Sequence, residues 1–378
     1  MLNPILDREI HTARRGRRVL PAAIACAVAS SVALAPAQTP GPDGGGVSPV
    51  DSPVLLDGLS AEAAATARVA PSFYFENDGT FLRPNDHTDR HYTSGQGASV
   101  AWRGAGRGIA DGLGLPAGDR TALGLVLAQQ MFTPDDIDEP PRPGDRPYGG
   151  YLYLGGFWQR EHREVFDQVQ LDLGVVGPSS LAEQAQEAVH ALSYAEDPDW
   201  SRQLRDEVQV NLTLRRKWRF DLGETALAGR PIDWQLIPRA ELDVGTTYRR
   251  VAAGALIRAG CRLPDDFGPG RITDLASETS DDFVDRQTGV SAYVFGQAVA
   301  RYVEWDTFLD GSYGRNPSPS VSKQPWVGEF SGGFAVEWKR HRMHARLAYM
   351  QTFSTPTFEM QGRGDTVGSL ALRVILSY

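Results

Sequence analysis

Carboxylate, amide and imidazole side chains are concentrated in one short stretch near the start of the chain, FYFENDGTFLRPNDHTDRHYTSG (73–95). Alternating residues flank its polar centre on both sides, so the pattern predicts two strands joined by a polar loop. So many ionisable groups in one loop indicate carboxylate and imidazole chemistry, and imidazole can accept a proton near neutral pH. A solvated loop without chemistry is the alternative interpretation.

A second group of such residues lies in SLAEQAQEAVHALSYAEDPDWSRQL (180–204). Its first half, 181–192, is rich in Ala, Glu and Gln and follows a serine, which predicts a helix that Pro198 ends. Gln186 and His190 are four residues apart and therefore share one face of that helix. Histidine suits general-base chemistry because its unperturbed pKa is about 6.5, although a lone histidine on a loop helix is more often a surface residue.

The remainder of the chain shows period-two alternation over segments of about ten residues, which is typical of transmembrane β-barrels. The C-terminal segment SLALRVILSY places on one face Leu370, Leu372, Val374, Leu376 and Tyr378. A soluble sandwich or a lipocalin-like barrel also alternates, but an export signal and a terminal aromatic residue favour the membrane. The predicted fold class is all-β: a twelve-stranded antiparallel transmembrane β-barrel with a short helix in an extracellular loop.

An even number of strands fits a single-chain bacterial barrel whose termini both face the periplasm. The twelve strands are predicted near 67–78, 91–102, 121–132, 148–160, 166–176, 206–220, 232–244, 249–262, 290–304, 328–339, 343–355 and 368–378. This order brings Asp78, Thr93 and the 180–204 segment to the same extracellular rim, with Thr93 pointing inward. It also makes 263–289 a long periplasmic connection and assigns the basic run RRKWR (215–219) to the periplasmic interface.

The N-terminal region indicates export. A cluster of four arginines at 14–18 precedes an apolar, alanine-rich run at 19–35, so 1–37 is interpreted as a signal peptide that is cleaved after Ala37. The segment 38–66, which begins with the Pro/Gly/Ser-rich run 38–54, is interpreted as a flexible leader, and 67–378 as the outer-membrane barrel. The chain has 47 acidic and 38 basic residues and a formal net charge of −9. This excess of acid argues against nucleic-acid binding, which requires neutralisation of phosphates.

Several irregular motifs occur together and in order: ENDGTF…TDRHYTSG, QQMFTP…GDRPYGGYLYLG, LDLGVVGPSSLAEQAQEAVH, GALIRAGCRLPDDFGPG and VFGQAVARYVEWDTFLDGS. In these motifs the chain resembles the outer-membrane lipid A 3-O-deacylases, over nearly all of 73–378. The resemblance implies a twelve-stranded barrel whose calcium-dependent site, at the extracellular rim, hydrolyses the ester of the 3′-acyloxyacyl chain of lipid A. It implies lipid A or lipopolysaccharide as the substrate and the bacterial outer membrane as the location, and we expect a monomer.

The resemblance also carries the family's active-site residues onto this chain. All six residue types are retained, at Asn77, Asp78, Thr93, Gln186, His190 and Glu196. Thr93 would line the pocket, and His91, where relatives often have an aromatic residue, is interpreted as rim structure. One position departs from the pattern, because a lysine that follows the Y/F-[ST]-P motif in an active relative is matched by Glu139. Either Arg142 or Arg146 replaces that cation, or the oxyanion is supported differently.

The chemistry of ester hydrolysis gives the remaining residues their roles under this resemblance. His190 would act as the general base that activates water, with Glu196 orienting its ring. Asp78, Glu196 and backbone carbonyls would bind Ca²⁺, which takes oxygen ligands in irregular geometry. Asn77 and Gln186 would donate hydrogen bonds to the developing oxyanion or position the water.

Two other functions remain open. A non-catalytic barrel, acting as a pore or a scaffold, would keep the family fold without the chemistry. An outer-membrane lipase with a serine nucleophile would need a Ser–His pair in a recognisable setting, and the chain contains no G-x-S-x-G. The retention of six polar residue types favours the hydrolase, because a barrel without chemistry has no evident need for that combination.

Overall fold

A computed structural model of the protein describes residues 68–78, 90–115, 118, 120–137, 141–193, 198–272, 289–315, 317–340 and 343–376. The predicted signal peptide, the predicted leader and Glu196 lie outside the described residues. The helices of the described part are α1 (Arg107–Gly112), α2 (Ala182–Ser193) and α3 (Thr307–Asp310). None of them is long and apolar enough to cross a membrane. The strands are β1 (Arg68–Asn77), β2 (His91–Arg103), β3 (Arg120–Thr133), β4 (Gly149–His162), β5 (Val165–Val176), β6 (Glu207–Trp218), β7 (Phe220–Leu227), β8 (Arg230–Gly245), β9 (Tyr248–Cys261), β10 (Gly289–Asp306), β11 (Trp326–Arg340), β12 (Met343–Ser354) and β13 (Thr366–Leu376).

The strands form one antiparallel sheet that closes on itself. β1 pairs with β2 on one side and with the last strand, β13, on the other, and β6 pairs with both β5 and β8. β6 and β7 are consecutive segments, separated by Arg219, that pair in turn with β8. Counted as one strand, they give a closed twelve-stranded antiparallel barrel with a short helix beside it. The predicted fold class is therefore confirmed. The predicted strands match observed ones to within a few residues, except that the prediction 206–220 omits nearly all of β7.

The outer face of the barrel is apolar and the inner face is packed. On β3, Leu125 and Leu127 are exposed, whereas Val126 and Ala128 are buried. Because side chains alternate across a strand, these residues show which side of β3 faces outward. Exposed leucine, valine and phenylalanine side chains continue around the other strands, as expected for a lipid-facing surface.

The connection between β9 and β10 enters the barrel instead of remaining outside it. At the barrel end where β9 finishes, Asp265 pairs with Arg120 of β3, with 2.8 Å between Oδ2 and Nη1. At the other end, where β1 finishes, the backbone N–H of Ile272 donates to Glu76 Oε1 at 2.9 Å. We call residues 265–272 the luminal strap. The predicted periplasmic connection is therefore, over its described part, an element of the barrel interior.

Charged side chains of the barrel wall hold the luminal strap in place. Asp266 is fully buried and pairs with Arg258 of β9 and Arg346 of β12. Lys217 and Arg219 donate to backbone carbonyls of the strap. These two residues belong to the basic run predicted at the periplasmic interface, but they face the lumen because alternate residues of the strand point inward.

Aromatic side chains fill the lumen at the end of the barrel opposite the start of the strap. Phe308 of α3 is fully buried and stacks on Phe132, with ring centroids 4.1 Å apart. Tyr151 and Tyr248 lie beside it, at centroid distances of 6.2 and 6.0 Å. The interior is therefore occupied by the strap, which enters at one end of the barrel, and by this aromatic cluster at the other end.

Candidate active site

The end of β1 and the start of β2 form one hydrogen-bonded cluster. Asp78 donates its backbone N–H to the Thr93 carbonyl at 3.0 Å, and the Asn77 amide donates to the same oxygen at 3.3 Å. The Asp78 carboxylate accepts from the backbone N–H of Arg90 at 2.6 Å. Asp78 and Thr93 are only 7% and 2% exposed. Three of the predicted site residues are therefore in contact, although 16 residues separate Asn77 from Thr93.

A β-bulge decides which way Thr93 faces. The pairing of β2 with β3 shifts between Tyr92 and Ser94, so Thr93 is an extra residue in its strand. Its hydroxyl lies 2.7 Å from that of Thr133. Alternation along β3 places Thr133 on the outward side, with the exposed Leu127. The prediction that Thr93 points inward is therefore wrong, because the bulge turns it to the outer side of the wall.

Helix α2 lies against the outer faces of β3 and β4. Gly150 of β4 makes room for it, because a Cβ at this position would be 2.1 Å from Ser180 Oγ and 2.3 Å from the Ala182 Cβ. Gln129, on the outward side of β3, donates to the Ser180 carbonyl at 2.6 Å. Met131, the next outward residue, packs in one cluster with Ala182. The helix thus begins on the barrel wall and not over the barrel mouth.

One face of α2 is buried, and it carries both polar residues predicted for the site. Ala182, Gln186 and His190 recur at four-residue spacing and are buried, whereas Val189 is exposed. The predicted helix is confirmed, displaced by one residue. Gln186 Oε1 accepts from the indole N–H of Trp200 at 2.9 Å. The amide and the imidazole are therefore turned toward the protein, as a site requires, and are not surface side chains.

Strand β3 connects the two halves of the candidate site. Thr133 at its end contacts Thr93, and Met131, one outward position earlier, packs with the start of α2. The cluster at the end of β1 and the buried face of α2 therefore adjoin the same outward side of one strand end. Both halves also lie at the same end of the barrel, as the strand order predicts. Glu196 lies outside the described residues, so its roles stay predictions.

The two arginines considered as replacements for the family lysine lie in different surroundings. Arg142 is exposed and pairs with Asp136, with 3.1 Å between Nη2 and Oδ2. Arg146 is buried, and its guanidinium lies 4.6 Å from the centre of the Phe132 ring. Burial lowers the pKa of Arg146. Because Phe132 faces the lumen, Arg146 lies on the opposite side of the wall from Thr93.

Two buried groups beside the cluster were not predicted from the sequence. Glu76 faces the lumen directly behind Asn77 and accepts from the Tyr92 hydroxyl at 2.7 Å. Strict alternation in FYFEN is the signal that could have placed it inward. His91 has a left-handed φ of 59°, and its Nδ1 lies 2.6 Å from the Asp365 carboxylate. No local signal predicts that pair, since 274 residues separate its members.

The cluster has the oxygen chemistry that calcium prefers. Asp78 offers a carboxylate, Thr93 and Thr133 offer hydroxyls, and backbone carbonyls are close by, all of which are hard oxygen donors. In the part of the chain that the structure describes, no three His, Cys, Asp or Glu side chains are grouped to hold a metal. The donor types fit a calcium ion that relies on one described carboxylate, on neutral oxygens and on the predicted ligand Glu196.

The fold and the site together define a class of protein: a membrane β-barrel with a candidate active site on its outer wall, beside a helix. The family model described as "Outer membrane protein LpxR" matches residues 24–376, and the chain belongs to this family. The family predicted from the sequence, that of the outer-membrane lipid A deacylases, is thereby confirmed. The protein is thus an outer-membrane β-barrel protein.

Solved structures are similar to the chain at low sequence identity. LpxR from Salmonella typhimurium is 17% identical, with a TM-score of 0.62, 82% of this chain covered and 100% of that one. The β-domain of the Bordetella autotransporter BrkA is 12% identical, with a TM-score of 0.39 and coverages of 82% and 99%. The translocator domain of NalP from Neisseria meningitidis is 8% identical, with a TM-score of 0.34 and coverages of 86% and 92%. The first similarity shows a shared fold, and no curated protein sequence matches the chain.

Proposed function

We propose that this protein is an outer-membrane lipid A deacylase, a hydrolase that cleaves the ester of the 3′-acyloxyacyl chain of lipid A. Membership of the LpxR family supports lipid A or lipopolysaccharide as the substrate. The observation that carries the proposal is the outward position of the polar cluster. Thr93 and Thr133 contact each other on the lipid-facing side of the wall, next to the helix that bears Gln186 and His190.

An outward site suits a substrate that is itself a membrane lipid. Leu125 and Leu127 are exposed on the same side of β3 as Thr133. An acyl chain that rests on this apolar surface brings its ester to the polar cluster without leaving the membrane. A site in the lumen would instead require the lipid to enter a barrel already occupied by Phe308 and the luminal strap.

His190 is the general base of the proposed reaction. Its neutral imidazole takes a proton from water as the water oxygen attacks the ester carbonyl carbon. The carbonyl oxygen becomes an oxyanion, for which the amides of Asn77 and Gln186 are the candidate donors. Collapse then breaks the bond to the alcohol oxygen of the substrate, and the imidazolium returns its proton to that oxygen. One water molecule is thereby consumed, and the products are a free fatty acid and a hydroxyl group.

Asp78 is the described residue best suited to hold Ca²⁺, with Glu196 and backbone carbonyls as further proposed ligands. When bound, the ion supplies a fixed positive charge for the developing oxyanion. The contact of the Asp78 carboxylate with the Arg90 N–H fixes the direction of the carboxylate. Thr93, whose hydroxyl is held by Thr133, lines the pocket between Asp78 and the helix.

The strand order supports an extracellular position for this site. β1 runs toward the site end of the barrel and β13 runs away from it, so both ends of the barrel chain lie at the opposite end. In single-chain barrels of the bacterial outer membrane, the termini are periplasmic and the longer loops are extracellular. We therefore assign the Asp78 and His190 end to the cell exterior.

A non-catalytic pore receives no support from the interior. The luminal strap spans the barrel from Asp265 to Ile272, and Phe308 packs among aromatic rings at the site end. A scaffold without chemistry is the remaining alternative, and it makes a different prediction about lipid A.

Mass spectrometry of lipid A after incubation with the purified protein, in detergent with calcium, tests the proposed function. We expect lipid A to lose the mass of one acyloxyacyl chain, which should be recovered as the free acid. Unchanged lipid A in the presence of a correctly folded barrel would contradict the proposal and favour the scaffold.

A further inference from the structure

Trp200 and Gln186 form a buried hydrogen bond whose direction is fixed by chemistry. The indole Nε1 of Trp200 lies 2.9 Å from Gln186 Oε1, and the two side chains are 2% and 3% exposed. An indole N–H can donate a hydrogen bond but cannot accept one. The Gln186 amide must therefore turn its oxygen toward Trp200 and its nitrogen away from it.

The nitrogen that is turned away, Gln186 Nε2, is a buried donor without an acceptor in the part of the chain that the structure describes. Buried donors nearly always meet an acceptor, because an unpaired donor costs free energy. This nitrogen also lies on the buried face of α2, one turn before His190. It is therefore suited to a ligand, or to a reacting water, that brings an oxygen acceptor.

Trp200 is itself held by its surroundings. Its ring packs on that of Tyr148, with centroids 5.0 Å apart, and Tyr148 is fully buried. Close to it in the chain, Gln203 donates to the Glu183 carboxylate of α2 at 3.2 Å. The segment that contains Trp200 is thus hydrogen-bonded to the helix that contains Gln186. This contact holds the indole N–H close to the Gln186 amide.

We propose that Trp200 is a positioning residue, which holds the Gln186 amide so that its nitrogen faces the ester and donates to the carbonyl oxygen as that oxygen becomes negative. The inference rests on the proposed deacylase function. Without the indole, the amide is free to turn its own oxygen toward the oxyanion, which repels it. Because the contact strengthens in the transition state, it contributes to kcat more than to substrate binding.

The first test is the Trp200→Phe variant, which removes the indole donor and keeps an aromatic ring. We expect kcat for lipid A deacylation to fall by tenfold or more, up to the ~10²–10³ typical of losing an oxyanion donor, with little change in KM. Trp158→Phe is the matched control, because that buried indole donates to the Gly106 carbonyl at 3.0 Å, away from α2. The control should keep the parental kcat.

A double-mutant cycle separates positioning from general support of the helix. In a Gln186→Ala background, Trp200→Phe should cause no further loss of kcat, because the amide that it orients is gone. If Trp200→Phe lowers kcat equally in the presence and in the absence of Gln186, the positioning role is refuted.

A measurement that needs no activity distinguishes this inference from the proposed function. In protein labelled with ¹⁵N-tryptophan, the indole signal missing from Trp200→Phe belongs to Trp200. Gln186→Ala should shift that signal and leave the Trp158 signal unchanged. If the signal does not respond, the positioning role is overturned. If the Trp200 signal shifts but the parent protein hydrolyses no lipid A, the hydrogen bond is supported. The proposed function is then overturned, and the catalytic role of Trp200 with it.

Discussion

Gly150 and Ala182 approach so closely that a Cβ on Gly150 would lie 2.3 Å from the Ala182 Cβ. Gly150 belongs to the barrel wall, and Ala182 begins the helix that carries Gln186 and His190. The candidate site therefore depends on a glycine that has no chemical role. Its missing side chain is what lets α2 lie directly on β4.

We expect Gly150→Ala to displace α2 from the wall while the barrel still folds. Because a shift of about 1 Å in catalytic groups can cost ~10²-fold in rate, lipid A hydrolysis should fall by about that factor. Folding can be followed by heat-modifiable migration in gels. Gly156→Ala is the matched control, since it lies on the same face of β4 with no heavy atom within 4 Å of its Cβ. Parental activity in Gly150→Ala would show that the close contact is unnecessary.

His190→Ala should leave an assembled barrel with almost no deacylation. Loss of a positioned base typically lowers the rate by ~10²–10⁴, which release of the acyl chain from lipid A can measure. His162→Ala, at the far end of β4, is a suitable control and should keep its activity. His91 is a poor control despite its predicted rim position, because it is buried against Asp365. A His190→Ala protein that hydrolyses at the parental rate would refute the site.

Removal of calcium should stop the reaction. We expect a chelator to abolish hydrolysis and added Ca²⁺ to restore it, because the proposed mechanism needs a cation beside the oxyanion. Asp78→Asn keeps an acceptor for the Arg90 N–H but loses the charge, so it should fold and remain inactive even in high calcium. Asp111→Ala, on the exposed helix α1, should behave like the parent. Full activity with excess chelator would exclude calcium from the mechanism.

The luminal strap should make stability depend on pH through Asp266. Burial alone raises the pKa of this carboxyl, but the guanidiniums of Arg258 and Arg346 outweigh burial and hold the pKa below its ordinary value. A lowered pKa gives stability that is fully present above the unfolded pKa of about 3.9 and is lost as the pH falls toward the folded value.

At pH 7, Asp266→Asn should therefore destabilise the barrel by about 3–5 kcal/mol, the usual cost of breaking a buried ion pair. The difference from the parent should shrink as the pH falls below about 4. Urea unfolding in detergent at several pH values measures this difference in the free energy of unfolding. Asp265→Asn is the control, because the Asp265 side chain is 54% exposed and such pairs contribute only ~0–1 kcal/mol. A difference between parent and Asp266→Asn that does not change with pH would contradict the account.

The assigned orientation can be tested by cysteine labelling on intact cells. In a Cys261→Ser background, Arg363→Cys lies in the exposed β12–β13 connection at the site end, and Ala228→Cys lies in the exposed β7–β8 turn at the other end. A maleimide that cannot cross membranes should label the first and not the second. The reverse pattern would place the candidate site on the periplasmic side.

Most of the fold could be predicted because a barrel wall between lipid and a packed interior imposes a period of two on every strand. On β3, for example, the exposed Leu125 and Leu127 alternate with the buried Val126 and Ala128. The face of Thr93 could not be predicted in this way. A single extra residue in β2 turns it outward, and no glycine or proline marks the bulge.

The luminal strap was missed for a different reason. It has no periodicity, and its partners are distant in the chain: Arg346 is 80 residues from Asp266, and Ile272 is 196 residues from Glu76. The one indication in the sequence is that Lys217 and Arg219 are two residues apart and therefore point to the same side of the wall. The types of the site residues followed from the family resemblance, but the bond between Trp200 and Gln186 depends on tertiary contact alone.

Glu76 lies at the seam where the first and last strands meet, opposite Ser369 of β13. The Ser369 hydroxyl and the Ile272 backbone N–H both donate to the same carboxylate oxygen, at 3.1 and 2.9 Å. If the barrel closed without the strap inside it, this buried side chain would lose the Ile272 N–H, one of the hydrogen-bond donors that it has from Tyr92, Ile272 and Ser369, and an unmade buried hydrogen bond costs free energy. The seam between the first and last strands is therefore most stable when the strap already occupies the interior.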